Sequence, residues 1–295
     1  MQPNKIELRQ TRDFGEVISA TFEFIRQNFR KLLTCVLYLG GPFALLGAVS
    51  SALYQSQTPL NMTNPTDIFS ASWVVSLGVH LLVVLTASVV VTATVCHFVL
   101  LYLTGEEFEV NDVWRLVKKD FWMLLFASVG YTLLCIPAFL LCFFPGIYVS
   151  IALLPIFVIL LVERIGFRES IARSFRLVSG RWWPTFGILI VMGMVQGMIT
   201  LVVVLPFLIA MGVMGILSVQ SGETPAGGTF LLLYTITNSM QILVSVLCSS
   251  IVVVALAFQY FSLVEEKEGV GLRQRIGTLG TQPSAPEREE EDEGY

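Results

Sequence analysis

The sequence predicts an all-α, polytopic membrane protein with six transmembrane helices, arranged as three repeats of an interfacial amphipathic helix and a two-helix hairpin. Three observations support this prediction. Only 14% of the 295 residues are charged and 55% are hydrophobic, with a mean hydropathy of +0.74, whereas soluble domains carry about a quarter charged residues. Long apolar runs recur along the chain, and a basic amphipathic segment precedes three of them.

The apolar runs cover about residues 32–54, 73–103, 121–144, 147–162, 185–219 and 229–264. The first is interrupted by Gly40-Gly41-Pro42, a break that lipid tolerates only where neighbouring helices or local readjustment satisfy the freed carbonyls. Pro145-Gly146 predicts a tight turn between the third and fourth runs. The last two runs exceed the ~20 residues that cross a bilayer, so we expect tilt, projection or a kink near Pro206.

The chain is organised around residues 163–186, ERIGFRESIARSFRLVSGRWWPTF. At about 100° per residue, one side of a helix here is apolar and the other is charged. The apolar side carries Phe167, Ile171, Phe175 and Val178. The charged side carries Glu169, Arg173 and Arg176, with Glu169 and Arg173 spaced as an i,i+4 pair. The pattern is typical of a helix lying in the membrane plane.

The end of this segment predicts a sharp stop and a new helix. Gly180 suits the position after a last helical turn, and Pro184 suits the first turn of the next helix. Aromatic and basic side chains at this level are expected to contact lipid headgroups. The candidates are Arg168, Arg173, Arg176, Arg181, Trp182 and Trp183. A basic site for a ligand is the alternative interpretation of the arginines.

Two earlier segments, residues 13–31 and 106–120, have the same layout. Aligning Phe22, Trp114 and Phe175 brings the three segments into register, each ahead of an apolar hairpin. The repeats are expected at about residues 13–103, 106–162 and 167–264. Asp13 is a candidate N-cap, with Glu16 three residues later as in a capping box.

The distribution of charge predicts the topology. If there are six spans, all eighteen Lys and Arg fall on one side, and the opposite loops contain only Asp67 and Glu223. Such asymmetry places both termini in the cytoplasm of a multi-pass protein of the inner (cytoplasmic) membrane, in a bacterial cell. Residues 1–12 form a polar N-terminal segment and residues 13–264 the membrane domain. Residues 265–295 form an acidic cytoplasmic tail that is expected to be largely disordered.

No combination of residues predicts catalysis. The two histidines, His80 and His97, are seventeen residues apart on one span and point in different directions. No Asp or Glu is expected within a span, no nucleotide-binding glycine motif occurs, and the five cysteines lack metal-ligand spacing. We therefore predict no catalytic residue, no metal site, no cofactor and no nucleic-acid partner.

A few polar side chains fall in the fifth and sixth apolar runs. They are Gln196, Asn238, Ser239 and Gln241. Such residues form hydrogen bonds between helices or line a polar pocket, and both interpretations remain open. Gly193 and Gly197 form a GxxxG pattern in the fifth run, which permits close approach of a second helix.

The fragments RESIARSFRLVSGRWW and DFGEVISATFEFIRQNF, with the six-span layout, resemble the glycerophosphoryl diester phosphodiesterase membrane-domain family. Related YciC-like bacterial proteins of unknown function share the pattern. The resemblance covers about residues 10–265 and implies a membrane module. It does not imply the phosphodiesterase reaction, because the chain has no room for that domain and lacks its His, Glu and Asp metal cluster.

These observations favour a non-enzymatic integral membrane protein that is an accessory or scaffold for a membrane assembly or lipid-related process. The alternative is a carrier or flippase-like protein for a lipid or other hydrophobic solute. The expected partners are membrane lipids, together with other membrane proteins or further copies of the chain in a homo-oligomer.

Overall fold

The computed structural model describes residues 6–57, 71–105, 107–220 and 228–269, and within these ranges its regular elements are helices. The elements are α1 (Phe14–Cys35), a π-helical turn (Val36–Gly40), α2 (Gly41–Gln57), α3 (Ala71–Thr104), α4 (Val110–Leu141), α5 (Phe143–Leu153), α6 (Ile156–Val162), α7 (Phe167–Val178), α8 (Trp182–Gln220) and α9 (Gly228–Glu268). The all-α prediction is confirmed.

Within the described residues, six stretches are long and apolar enough to cross a membrane: α1 with α2, α3, α4, α5 with α6, α8, and α9. The predicted turn at Pro145-Gly146 is wrong by three residues. The chain turns at Cys142, whose backbone is extended between α4 and α5. Pro145 instead occupies the first turn of α5, where a missing N–H breaks no helical hydrogen bond.

The predicted break at Gly40-Gly41-Pro42 changes the helical geometry for about one turn and does not end the first span. The chain passes through the π-helical turn at Val36–Gly40 and continues directly as α2, with Pro42 in the first turn. A Cβ at Gly40 would lie 2.7 Å from Cγ2 of Val91, so the absent side chain allows α3 to approach closely. The expected kink near Pro206 does not end α8, which remains one helix of 39 residues.

Only the third amphipathic segment forms a helix separate from the following span. Gly180, with φ +83°, and Pro184 divide α7 from α8. The first and second segments continue into their spans within α1 and α4. Neither contains a glycine or proline between its amphipathic and apolar parts, so no residue there favours a break. The threefold repeat therefore stays a prediction.

The buried faces of the amphipathic helices differ from the most apolar faces. In α7 the buried side chains are Ser170, Ser174, Leu177 and Val178, whereas Phe167, Ile171 and Phe175 are half-buried. In α1, Thr21 and Phe24 are buried and the aromatic side chains of Phe14, Phe22 and Phe29 are exposed. A membrane protein can turn its most apolar stripe to lipid and pack small or hydrogen-bonding residues inside.

The buried core is concentrated in one half of the bundle. The buried residues of α3 lie between Ala87 and Val99. The ring of Phe24 lies edge-on to those of Phe98, Tyr102 and Phe258, with centroids 6.1, 4.9 and 5.5 Å away. The other half exposes apolar side chains, as lipid contact requires. They include Val75, Leu82, Leu133, Leu140, Val202 and Leu232.

The core half is also the charged end of the protein. The backbone N–H of Arg12 donates to Ser262 Oγ at 2.9 Å, and Lys31 Nζ lies 3.8 Å from the Phe108 ring centroid. The side chain of Arg181 binds Glu266. The N-terminal segment, residues 107–120, residues 163–183 and the end of α9 therefore meet at one end of the bundle, as the charge distribution predicts.

The boundaries of the membrane domain need two corrections. Glu265–Glu268 were expected to begin the tail but form the last turn of α9. The segment 1–12 is not only polar, because Leu8 is 1% exposed and belongs to the core. Residues 270–295, to which the prediction of disorder mainly applies, lie outside the described part of the chain.

Candidate functional site

A lateral groove between α8 and α9 is the feature closest to the predicted polar pocket. Its volume is about 440 Å³. Polar and glycine residues that line it are Gly193, Gln196, Gly197, Thr200, Gln241 and Ser245. Gln196 Nε2 donates to the backbone oxygen of Ser245 at 3.1 Å, which ties α8 to α9. The side chain of Gln241 is exposed in the groove and has no hydrogen-bond partner within the described residues.

The other two predicted pocket residues lie elsewhere. Asn238 Nδ2 donates to the backbone oxygen of Tyr234, one turn earlier in α9, at 2.9 Å. Ser239 Oγ donates to the backbone oxygen of Ala48 at 3.0 Å and joins α9 to α2. Three of the four predicted residues thus serve one or both roles, because Gln196 and Ser239 connect helices while Gln196 and Gln241 line the groove; Asn238 bonds only within α9.

The glycine pair on α8 faces open space. A Cβ built at Gly193 or Gly197 would meet no atom within 4 Å. The rest of α8 is similarly bare, since only 6% of its most apolar 18-residue stretch is buried against the chain, compared with 39% for α9. The close helix approach that GxxxG permits is therefore not used within the described part of this chain.

Of the four arginines predicted to contact headgroups, two form ion pairs inside the protein. Arg173 Nε lies 3.0 Å from both carboxylate oxygens of Glu163, and its guanidinium also binds Glu268. Hydrogen bonds to Glu268 and Glu163 raise the pKa of Arg173. The expected pairing of Arg173 with Glu169 is wrong, because the turn before α7 brings Glu163 back against the guanidinium of Arg173.

The last turn of α9 holds the C-terminal end of α7. Arg181 Nε donates to Glu266 Oε1 at 2.8 Å, a contact that raises the pKa of Arg181. Lys267 Nζ donates to the backbone oxygens of Arg176 and Ser179. A lysine is well suited to this position, because the last carbonyls of a helix lack helical partners. Arg168 and the side chain of Arg176 remain exposed at the protein surface.

The two tryptophans differ in environment. Trp182 stacks on Tyr148 and Phe186, with centroids 5.7 and 5.1 Å away, and its Nε1 donates to the backbone oxygen of Tyr148 at 3.3 Å. Trp183 is 74% exposed. Trp182 therefore anchors the start of α8 to α5, and the ring of Trp183 is accessible for headgroup contact.

Sequence reasoning missed a buried ionic cluster that joins three elements. Asp120, in α4, is 4% exposed and binds Arg164 through Oδ1 at 2.5 Å. Its Oδ2 lies 3.1 Å from Nε2 of His97 in α3. These two atoms do not meet hydrogen-bond geometry and have no other partner within the described residues. Arg164 has a left-handed backbone, φ +53°, in the turn before α7.

The sequence placed Asp120 at the end of the basic segment 106–120, so its burial in the core was not expected. The signal was available in the sequence, because Val113, Val117, Asp120 and Leu124 recur at helical spacing and all four are buried. The two lysines that precede Asp120 indicated that this end of the segment is solvated, so the burial of Asp120 was not predicted. The cluster connects α3, α4 and the α6–α7 turn.

The other histidine belongs to a separate cluster. His80 Nδ1 lies 3.0 Å from Ser50 Oγ, and its ring stacks on Tyr54 at 5.6 Å. The Ser50 hydroxyl is buried and also donates to the backbone oxygen of Gly47. Among the residues that the structure describes, no three His, Cys, Asp or Glu side chains gather to hold a metal ion.

Comparison with known proteins identifies no relative, because no family model, no curated protein and no solved structure matches the chain. The fold itself defines the class, a helical multi-pass membrane protein with six candidate spans in the part of the chain that the structure describes. The resemblance to the glycerophosphoryl diester phosphodiesterase membrane-domain family stays a prediction.

Proposed function

We propose that this chain is a non-enzymatic accessory or scaffold subunit of a membrane assembly or lipid-related process. It is a protein of the bacterial inner membrane with both termini in the cytoplasm, and it belongs with the six-span membrane modules that its sequence resembles. Its partner is another membrane protein, which contributes a transmembrane helix that packs on α8.

The observation that carries this proposal is the bare surface of α8. The helix contacts mainly α9, and one stripe of it carries Gly193, Gly197 and Leu201 at helical spacing. Lipid tails gain little packing energy from this stripe, the glycine face of α8, or from contact with the Gln241 amide beside it. A second helix gains close backbone packing from the glycines and a hydrogen bond from the amide.

The proposal can be tested by photocrosslinking in the native membrane. A benzophenone amino acid at position 201, where Leu201 is 53% exposed, is expected to capture a protein whose cross-linked peptide lies in a transmembrane segment. The matched position is Val79 on α3, which is 52% exposed and is expected to give lipid adducts only.

Steric controls make this test specific for the glycine face. Gly197→Leu is expected to abolish the protein adduct at position 201, because the larger side chain occupies the open face, where a Cβ would meet no atom of this chain within 4 Å. Gly78→Leu, at another open glycine on α3, is expected to leave the adduct intact. Lipid adducts alone at position 201, or a protein adduct that survives Gly197→Leu, would contradict the proposal.

The α8–α9 groove supports a second candidate function, a carrier or flippase-like protein for a lipid or hydrophobic solute. The groove opens to the side and combines amide and hydroxyl groups with apolar walls. For a carrier, Gln241→Leu would leave the protein folded and abolish movement of a labelled lipid in reconstituted vesicles. For a scaffold, vesicles containing the unchanged protein would show no such movement.

A further inference from the structure

A second groove lies on a different face, between α1, α8 and α9. Its volume is about 340 Å³, within the range of ligand-binding pockets. Phe29, Leu33 and Leu37 line it from α1 and the π-helical turn, Leu247 and Ile251 from α9, and Ile199 from α8. These walls are almost entirely apolar, so the groove suits a hydrocarbon chain better than a polar solute.

The stripe of α1 that forms one wall continues into two arginines. Arg26, Arg30, Leu33 and Leu37 recur at i, i+4, i+7 and i+11, which places them on one side of the helix. Arg26 and Arg30 are exposed and form no ion pair within the described residues. They lie towards the charged end, because the next residue, Lys31, contacts the Phe108 ring.

Along this side of α1 the apolar wall of the groove is therefore continued by two cations that have no ion-pair partner among the described residues. About 10 Å of helix separates Arg30 from Leu37, at 1.5 Å per residue. A phospholipid has the same order of groups, with an anionic phosphate above a hydrocarbon chain. Arginine binds phosphate oxygens in a bidentate manner, which gives this end a preference for an anionic head.

We propose that this groove binds an anionic glycerophospholipid. One acyl chain lies along Phe29, Leu33 and Leu37 against α9, and the phosphate group contacts Arg26 and Arg30. This site is separate from the glycine face of α8, so it does not depend on the nature of the protein partner.

Native mass spectrometry of the full chain tests the site directly, with phosphatidylglycerol as the anionic probe and phosphatidylcholine as the zwitterionic one. The unchanged protein is expected to bind phosphatidylglycerol more tightly. Replacing both Arg26 and Arg30 with Gln is expected to weaken phosphatidylglycerol binding about thirtyfold, or about fivefold for each arginine, with little change for phosphatidylcholine. The matched control replaces Lys118 and Lys119, exposed on α4, with Gln and is expected to retain the preference.

A second variant tests the apolar part without changing charge. Leu33→Trp fills the groove from a 40% exposed position and is expected to weaken binding of both lipids, whereas Leu45→Trp, on exposed α2 surface, is expected to bind as before.

Three results would overturn the proposal: equal affinity for the two lipids in the unchanged protein, equal losses in the arginine and lysine variants, or a shift from dimer to monomer on filling the groove. The last would identify a second copy of the chain as the occupant.

Discussion

Replacing Asp120 with alanine is expected to lower the free energy of unfolding by about 3 kcal/mol. The change leaves the buried imidazole of His97 without its nearest polar neighbour and removes the carboxylate that holds Arg164 in a left-handed turn. This loss of stability is at the low end of the range for breaking a buried ion pair, because the side chain of Arg164 is 46% exposed and can reach water. Reversible unfolding in mixed micelles measures the loss.

Asp112 provides the control on the same helix. Its carboxylate pairs with Arg115 three residues later at 3.1 Å, and both side chains are substantially exposed. Asp112→Ala is therefore expected to cost less than about 1 kcal/mol, including its contribution to the N-terminus of α4. Equal losses in the two variants would show that the buried cluster contributes no more than a surface ion pair.

Replacing Arg173 with glutamine is expected to lower the free energy of unfolding by about 2 kcal/mol. The side chain of Arg173 is 17% exposed and is shared between Glu163 and Glu268, so its loss removes the guanidinium that both of these carboxylates bind. Tyr260 Oη also donates to Glu163 at 2.8 Å, which makes Arg173 part of a larger network.

Arg176 is the matched control for Arg173 in α7. Its side chain is exposed and forms no ion pair within the described residues, so Arg176→Gln is expected to change stability by less than about 0.5 kcal/mol. The same unfolding assay applies. A double replacement of Arg173 and Glu268 should cost less than the sum of the single changes, since both remove one shared contact. Strict additivity would contradict the proposed coupling of α7 to the end of α9.

Much of the architecture could be predicted because membrane constraints are simple. Span length, the single-sided distribution of Lys and Arg and the break at Gly40-Gly41-Pro42 each follow from local sequence. Capping was equally local: the backbone N–H of Asp13 donates to Glu16 at 2.9 Å, and Gly180 has the expected positive φ. These features depend on neighbouring residues and need no knowledge of the tertiary packing.

The sequence-based predictions were wrong at positions where tertiary packing determines which side chains are buried and which partners they contact. Apolar periodicity identifies the faces of α1 and α7, but lipid and core are both apolar, so it does not tell which stripe is inside. Ser174 illustrates this, because its buried hydroxyl donates to the backbone oxygen of Ala152 at 2.6 Å. The partners of Asp120 and Arg173 are likewise 10–95 residues away, and no local rule identifies them.

All basic segments are expected to share the cytoplasmic side of the membrane, and cysteine accessibility tests this topology most directly. In a Cys142→Ala background, which removes an exposed native thiol, single cysteines replace Arg168 or Ser56. A membrane-impermeant maleimide is expected to label position 168 only in inside-out vesicles and position 56 only in intact cells. Labelling of position 56 from the cytoplasmic face, or of both positions from the same face, would contradict the six-span topology.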